Sequence, residues 1–192
     1  VQDAAQVATG EALGVAPSVP GWRLDGALQR AAAAAGVHTI AGRVVAGDVR
    51  AGAVLHVSVE HAGAVYGVAA RAIVLATGKY IGGGISAGVE FEESALGCDV
   101  ALERFARTID DPAASLMLTD PVRTEPQPVL SAGVRVDGDG RPLSPSGDVL
   151  LSNVFVAGSV RAGVETGTLG LGAAAHDGWA AGARAAVLAS VG

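Results

Sequence analysis

The sequence has little cysteine, few aromatic residues and no cluster of basic residues, and each scarcity argues against a class of function. Its single cysteine, Cys98, excludes an internal disulfide framework and fits a reducing compartment. One cysteine and four dispersed histidines give no metal-ligand spacing, so no metal site is predicted. The 13 lysines and arginines are scattered and the formal net charge is −6, which argues against nucleic acid as a partner.

Long hydrophobic runs are also missing. Half of the residues are hydrophobic, yet no uninterrupted apolar run approaches the ~20 residues that span a bilayer. The amino-terminal residues show no basic region followed by an apolar core, so no signal peptide is predicted. We therefore expect a soluble, cytoplasmic chain without a transmembrane segment, which would reach the inner face of the membrane only through partners.

Glycine is abundant instead, with 28 glycines among the 192 residues. Codons rich in G and C raise the content of alanine, glycine, valine and arginine whatever the fold, so the number of glycines indicates little by itself. Their positions are more informative. Glycine is costly inside regular elements and is useful at tight turns and close backbone approaches.

The first part of the chain predicts a helix followed by an antiparallel sheet. Leu24 and Leu28 belong to an apolar pattern of helical period over residues 22–35, and Gly36 follows as a stop signal. The next segment predicts a three-stranded meander. Its β-rich runs lie at residues 38–45, 54–60 and 65–70, with turn sequences at residues 46–48 and 61–63.

Two continuous apolar runs, residues 72–76 and 153–158, lack the alternation of a half-buried strand. Such runs are typical of strands buried on both faces, as in a parallel sheet. The remaining predicted elements are a glycine-rich loop at residues 80–88, a helix at 98–108, a hairpin at 134–143 and a helix at 173–191.

The glycines at residues 82–87 satisfy the pattern G-x-G-x-x-A. This pattern indicates a dinucleotide site only where it directly joins a strand to a helix. Here it lies several residues beyond the end of the strand, and no convincing helix follows. A flexible loop is therefore the favoured interpretation.

The glycines from residue 158 to residue 172 are the strongest candidate site. Gly158 and Ser159 follow a buried strand, and Gly170 and Gly172 flank Leu171 at the start of the last helix. The first turn of a helix has free N–H groups and a partial positive charge, which favour an anion or the electron-rich pyrimidine edge of a flavin. The same glycines would also let the helix pack tightly on the sheet, and spacing alone does not separate the two interpretations.

Taken in order, these segments resemble FAD-dependent dehydrogenases of the fumarate reductase-like flavoprotein superfamily. Residues 70–78 resemble the segment that leads back into the FAD domain, and residues 132–160 resemble the closing motif. Within this group, residues 78–97 and the pair Gly158-Ser159 are most similar to the second subunit of anaerobic glycerol-3-phosphate dehydrogenases. That subunit also has serine where most relatives carry an acidic residue that holds the flavin ribityl chain.

The resemblance implies an α/β fold class: a partial FAD/NAD(P)-binding (Rossmann-like) domain with an antiparallel β-meander and part of a substrate-side element. The first βαβ unit, which would hold the ADP half of FAD, is missing and would lie upstream of Val1. The implied organisation has three parts. Residues 1–78 form a helix and a meander leading into the FAD-domain sheet, residues 79–131 a substrate-side or cap segment, and residues 132–192 the carboxy-terminal part of the FAD-binding domain.

The resemblance also implies a function: a fragment or subunit of a flavin-dependent oxidoreductase that oxidises glycerol 3-phosphate to dihydroxyacetone phosphate and passes electrons to quinone through partners. FAD is the implied cofactor, with FMN as an alternative, and the isolated chain is expected to be inactive. No catalytic residue is assigned. The implied flavin-binding residues are Thr77, Gly78, Gly158, Ser159, Gly170, Leu171 and Gly172.

Arg123 and Arg161 are the candidates for binding a substrate phosphate, because a guanidinium can hold phosphate bidentately. For each, a surface or ion-pair role is the more ordinary interpretation.

Two alternatives stay open. The chain could be a non-catalytic structural subunit of an oxidoreductase complex, which serine at position 159 mildly favours, whereas the intact glycines at 158–172 favour flavin binding. It could also be a fumarate reductase-like or ketosteroid dehydrogenase-like flavoenzyme with another substrate. Without upstream strands the sheet would expose an edge or an apolar face. We therefore predict association with the missing amino-terminal half, with companion dehydrogenase subunits or with a second copy of the chain.

Overall fold

A computed structural model describes residues 18–87, 91–102, 128–164 and 166–191. The chain divides into two compact units, Val1–Ala41 and Gly42–Gly192. The elements in chain order are α1 (Val19–Ala34), β1 (Arg43–Arg50), β2 (Ala53–His61), β3 (Ala64–Ala69), β4 (Ile73–Leu75), β5 (Ile85–Ala87), β6 (Phe91–Glu93), β7 (Val100–Ala101), α2 (Pro128–Ser131), β8 (Gly133–Val134), β9 (Val154–Val156), a 3-10 turn (Gly158–Val160) and α3 (Thr166–Ser190).

The first unit contributes α1, which confirms the predicted helix and begins three residues earlier than expected. Ser18 caps it, because its side chain accepts a hydrogen bond from the Gly21 amide at 3.2 Å. Pro20 lies in the first turn, where its missing N–H costs nothing. The helix ends before Gly36, whose φ of +73° lies in the left-handed region.

The second unit begins with the predicted meander, in which β1, β2 and β3 pair antiparallel in that order. The expected bounds of the first strand were wrong. Residues 46–48 lie inside β1 rather than in a turn, and the irregular register there is absorbed by bulge-like shifts. The two tight turns are Ala51-Gly52 and Ala62-Gly63. All four residues have positive φ, as two-residue hairpin turns of the primed type require.

Strands β4 and β9 form a parallel pair, with Ile73 opposite Val154 and Leu75 opposite Val156. This confirms that the runs form strands of the parallel type, whereas their pairing with each other was not predicted. All three residues of β9 are buried. Burial on both faces was wrong for β4, because Val74 is 37% exposed.

Two further strand pairs complete the second unit: β5 with β6, and β7 with β8, both antiparallel. The flexible loop predicted at 80–88 was therefore partly wrong, because its end forms β5. The helix predicted from residue 98 was also wrong over its described part. Cys98 and Val100 are both buried in the core, and Val100 pairs with Val134 in the sheet. The rest of that predicted helix, from residue 103, lies outside the described residues.

The predicted hairpin at 134–143 is confirmed, with Val136 bridging to Pro142. Asp137 fixes its turn, because its carboxylate accepts hydrogen bonds from the amides of Asp139 and Arg141, both at 2.9 Å. Burial alone would raise the pKa of Asp137, but the hydrogen bonds and charge of Arg141, with the Asp139 amide, lower it.

The meander and the parallel pair are joined by the side chain of Asn153, which is buried. Its Oδ1 accepts from the Val54 amide at 2.9 Å, and its Nδ2 donates to the Val54 carbonyl at 2.7 Å. The same Nδ2 donates to the Arg71 carbonyl at 3.2 Å. One amide side chain thus provides both hydrogen bonds that a neighbouring strand residue would give Val54.

The observed architecture is mixed α/β: antiparallel sheets and one parallel strand pair, with a long helix at the carboxy-terminal end. Helix α3 packs against the parallel strand pair through a cluster in which Phe155 and Ala157 meet Ala181. Within the described ranges, no helix has the length and apolarity needed to cross a membrane.

Candidate functional site

The carboxyl ends of β4 and β9 lie side by side, and each strand leads directly into one of the predicted flavin-binding pairs. Gly78 and Gly158 have φ values of +76° and +73°, which only glycine adopts without strain. The Ser159 hydroxyl oxygen is 3.9 Å from the position that a Cβ would occupy on Gly78. Residues that are far apart in sequence therefore meet at the carboxyl end of the parallel pair. In open α/β sheets, ligands bind at this end of the strands.

The glycine-rich segment at 82–84 packs on the end of β4. A Cβ on Gly82 would lie 2.8 Å from the Thr77 carbonyl oxygen, and one on Gly84 would lie 2.6 Å from Thr77 Oγ1 and overlap the Gly78 carbonyl. These two glycines are thus required by close packing, and Gly84 leads into β5 rather than into a helix. Thr77 Oγ1 is buried beneath this segment and has no hydrogen-bond partner among the described residues.

The start of α3 is interrupted at Gly170, whose φ of 59° and ψ of −173° are not helical. The regular helix therefore restarts at Leu171, which is 73% exposed, and Gly172 is exposed beside it. A Cβ on Gly172 would meet no atom of the described residues within 4 Å. The first N–H groups of a helix that starts here have no intrahelical partners.

The turn after β9 lies against the first turns of the restarted helix. A Cβ on Gly158 would be 3.8 Å from the Ala174 Cβ. One turn further along, Asp177 Oδ2 accepts from the Gly158 amide at 3.3 Å. The structure therefore brings Gly158 and Ser159 close to Gly78 on one side and to α3 on the other.

Arg161 is held by the same aspartate. Its Nη1 lies 2.8 Å from Asp177 Oδ1, and within the described part of the chain its buried Nε has no hydrogen-bond partner. Arg161 thus forms an ion pair, which is the more ordinary of the two roles considered for it. A role in binding the substrate phosphate stays a prediction. Arg123 lies outside the described residues.

Two polar residues next to the candidate site were not predicted from the sequence. Lys79 is only 6% exposed, and its Nζ donates to the carbonyls of Leu130 and of Val164, the latter at 2.6 Å. The Tyr80 hydroxyl donates to the Val129 carbonyl at 2.6 Å, and burial raises the pKa of Tyr80 to about 12. Lysine is almost never fully buried unless it is paired, so a lysine is expected at the surface when only its sequence is known. The local sequence contains no signal that Lys79 is buried.

These contacts give Lys79 and Tyr80 a clear structural role. They tie the segment after β4 to α2 and to the loop that precedes α3, so the pieces around the strand ends form one packed unit. Asp177 was also missed, because an aspartate seven residues after Gly170 carries no local signal for a contact with Gly158.

The other buried titratable groups belong to the core. Glu93 accepts hydrogen bonds from the amides of Ala95 and Leu96, at 2.9 and 2.8 Å. Burial, with the charges of Glu93 and Asp99, raises the pKa of Cys98 to about 12, so its thiol is unreactive at neutral pH. The part of the chain that the structure describes contains no group of three or more His, Cys, Asp or Glu able to hold a metal ion.

The strand-end site can therefore offer backbone N–H groups and one hydroxyl to a flat or anionic ligand, with glycines that allow close approach. Comparison of the chain with protein-family models, with curated proteins and with solved structures found no match.

Proposed function

We propose that this chain provides the flavin-ring end of a flavin site in an FAD-dependent oxidoreductase that oxidises glycerol 3-phosphate and passes electrons to quinone through partner subunits. The observation that carries the proposal is the meeting of Gly78 with Ser159 at the carboxyl ends of two parallel strands. The motifs that led to the resemblance occupy these same two strand ends.

The residues at this site are compatible with a flavin. Gly78 and Gly158 leave backbone exposed where a side chain would block a planar ring, and Ser159 offers a hydroxyl to a ribityl hydroxyl. The first-turn N–H groups after Gly170 suit an electron-rich carbonyl edge, and their partial positive charge favours that edge as it becomes more anionic on reduction.

Bound flavin supplies the hydride-accepting chemistry, and the protein orients it and adjusts its charge. In this proposal Ser159 positions the ribityl chain with a weaker hydrogen bond than a carboxylate would form. The Asp177–Arg161 pair keeps the Gly158 turn in place. Because Arg161 and Asp177 carry opposite charges, the pair adds no net charge beside the ring.

A second candidate function is a non-catalytic structural subunit of an oxidoreductase complex. The exposed apolar side chains of α3 favour it, because Leu171 and Trp179 are each 73% exposed. Isolated exposed apolar residues are ordinary on protein surfaces, but two large ones on the same helix fit a contact with another chain. Light scattering at increasing protein concentration tests whether these side chains mediate self-association, and a monomer throughout would contradict self-association.

Flavin titration tests the first proposal directly. The chain should perturb the visible absorption spectrum of FMN and of FAD with similar affinity, because the residues concerned would contact only the ring and ribityl parts shared by both. ADP should not compete for the same reason. An unperturbed spectrum with both flavins would contradict flavin binding by this chain.

Two variants test whether the binding site is the one described. Gly172→Leu fills the open space at the helix start and should abolish the spectral change, whereas Ala186→Leu introduces the same side chain at an exposed position further along α3 and should leave the change intact. Ser159→Ala should weaken binding by up to about tenfold, the effect of one neutral hydrogen bond. Ser190→Ala serves as its control.

A further inference from the structure

Two adjoining cavities lie along α3 from His176 onward and share one residue, Arg184. The larger is an open groove of 490 Å³ whose floor is Phe155 and whose side is formed by Val187 and Leu188. The smaller is a polar recess of 170 Å³ between α3 and the hairpin at 134–143. The groove falls in the size range of small-molecule sites and is mostly apolar, as such sites are.

The charges around the recess are mostly neutralised within it. Asp177 pairs with Arg161 at 2.8 Å. Arg141 lies 2.7 Å from Asp137 and 3.4 Å from Asp139, whose side chain extends into solvent at the rim of the groove. These pairs leave the recess polar but without a strong field of one sign.

Arg184 differs from the other two arginines. In the described part of the chain it has no carboxylate within ion-pair distance, and its Nη2 makes one long hydrogen bond, 3.4 Å, to the Gly138 carbonyl. It therefore presents a cationic group with five N–H donors, largely unused, at the boundary between an apolar groove and a polar recess. A ligand that matches this surface has an apolar body and one anionic head.

We propose that this groove binds a free long-chain carboxylate, with its alkyl chain on Phe155, Val187 and Leu188 and its carboxylate at Arg184. The head would replace the long bond to Gly138 with charge-assisted hydrogen bonds, and the chain would cover apolar surface that now faces water. This site lies on a different part of α3 from Gly170–Gly172 and does not depend on flavin binding.

Calorimetric titration of the whole chain with sodium decanoate, below its micelle concentration, tests the proposal. One saturable site is expected for decanoate. Hexanoate should bind more weakly because it covers less of the groove, decanol should bind more weakly because it lacks the charge, and acetate should not bind. Amide NMR shifts on adding decanoate should concentrate at Val187 and Leu188.

Arg184→Gln should lower decanoate affinity about tenfold, the loss of one charge-assisted interaction, while leaving decanol binding unchanged. Arg43→Gln, which removes an exposed arginine elsewhere, is the matched control. Equal decanoate affinity in the Arg184 variant would overturn the proposal, as would the absence of a saturable site. Binding to phosphatidylglycerol vesicles without binding to free decanoate would also overturn it, because the occupant would then be a membrane surface.

Discussion

Asp177 binds Arg161 and the Gly158 turn at once, with Oδ1 2.8 Å from the Arg161 guanidinium and Oδ2 3.3 Å from the Gly158 amide. The side chains of both members are mostly shielded from water, with 31% of Arg161 and 19% of Asp177 exposed. Pairs of this kind are worth more than those on the open surface, because solvent screens them less.

Removing this carboxylate should destabilise the protein. We expect Asp177→Asn to lower the free energy of unfolding by about 2 kcal/mol, since it leaves the Arg161 cation partly buried and unpaired. Urea denaturation of Asp177→Asn, Arg161→Gln and the double variant gives the coupling energy, which should be about 1 kcal/mol. The exposed pair Arg43–Glu60, 3.5 Å apart, is the control and should show coupling near zero.

Substituting Gly84 should distort the end of β4. Gly84→Ala places a methyl group against the Gly78 carbonyl and 2.6 Å from Thr77 Oγ1, and the backbone cannot yield cheaply. We expect a loss of about 3 kcal/mol in unfolding free energy, as for an overpacked core. Gly67→Ala in β3 brings the new Cβ within 4 Å of no atom in the described ranges and should cost little. Similar unfolding midpoints for the two variants would show that the segment does not pack on Thr77 as described.

Truncating Asn153 should separate the meander from the parallel pair. Asn153→Ala leaves both polar groups of the buried Val54 backbone without their partner, and each such group costs about 1–3 kcal/mol. Ser152→Ala removes a neighbouring bond to Gly52 from an exposed position and should change stability by less than about 1 kcal/mol. Hydrogen exchange of the Val54 amide would localise the effect, since it should lose protection in the Asn153 variant only.

The single thiol provides a pH-dependent test of burial. The pKa of Cys98 is about 12 in the folded chain and 9.0 is its ordinary value, so the folded state disfavours the thiolate. The resulting stabilisation is fully present below pH 9.0 and is lost as the pH rises toward about 12. Urea midpoints across this range should therefore fall more steeply for the native chain than for Cys98→Ala.

At neutral pH, a thiol reagent should label Cys98 only when the core opens. The labelling rate should rise with urea in parallel with global unfolding. Fast labelling without denaturant would mean that Cys98 is accessible and would contradict its place in the core.

Features of this fold that depend on neighbouring residues can be predicted from the sequence, whereas features that depend on contacts between distant residues cannot. The lack of alternation in residues 72–76 and 153–158 was enough to predict two strands of the parallel type, because apolar composition is a local signal. It did not predict that the two strands pair with each other or that Val74 is partly exposed. The strand at 46–48 was missed, because Ala-Gly-Asp has turn composition and only pairing with β2 overrides it. The segment from Cys98 was assigned to a helix for a similar reason: its burial and its pairing with β8 are tertiary effects.

The residues of the candidate site divide in the same way, into those with a local sequence signal and those placed by long-range packing. Gly78, Gly158 and Ser159 were predicted together from ordered motifs, and the structure places them at adjacent strand ends. Asp177 and Lys79 were not predicted, since their partners lie 16 to 85 residues away along the chain. Their contacts depend on how α3 and the loop before it pack, which local composition does not encode.

The bond between Asn153 and Val54 joins residues 99 positions apart and so bears on how the protein is made. The meander can fold as soon as its own strands emerge from the ribosome, because its hairpins are local. Asn153 is synthesised about 5 to 20 s after Val54 at ordinary elongation rates, and until then the Val54 backbone lacks this partner. During that interval the meander is folded, but the surface that packs against the parallel pair is exposed to solvent. A chaperone would act at this stage, because transiently exposed surface promotes aggregation.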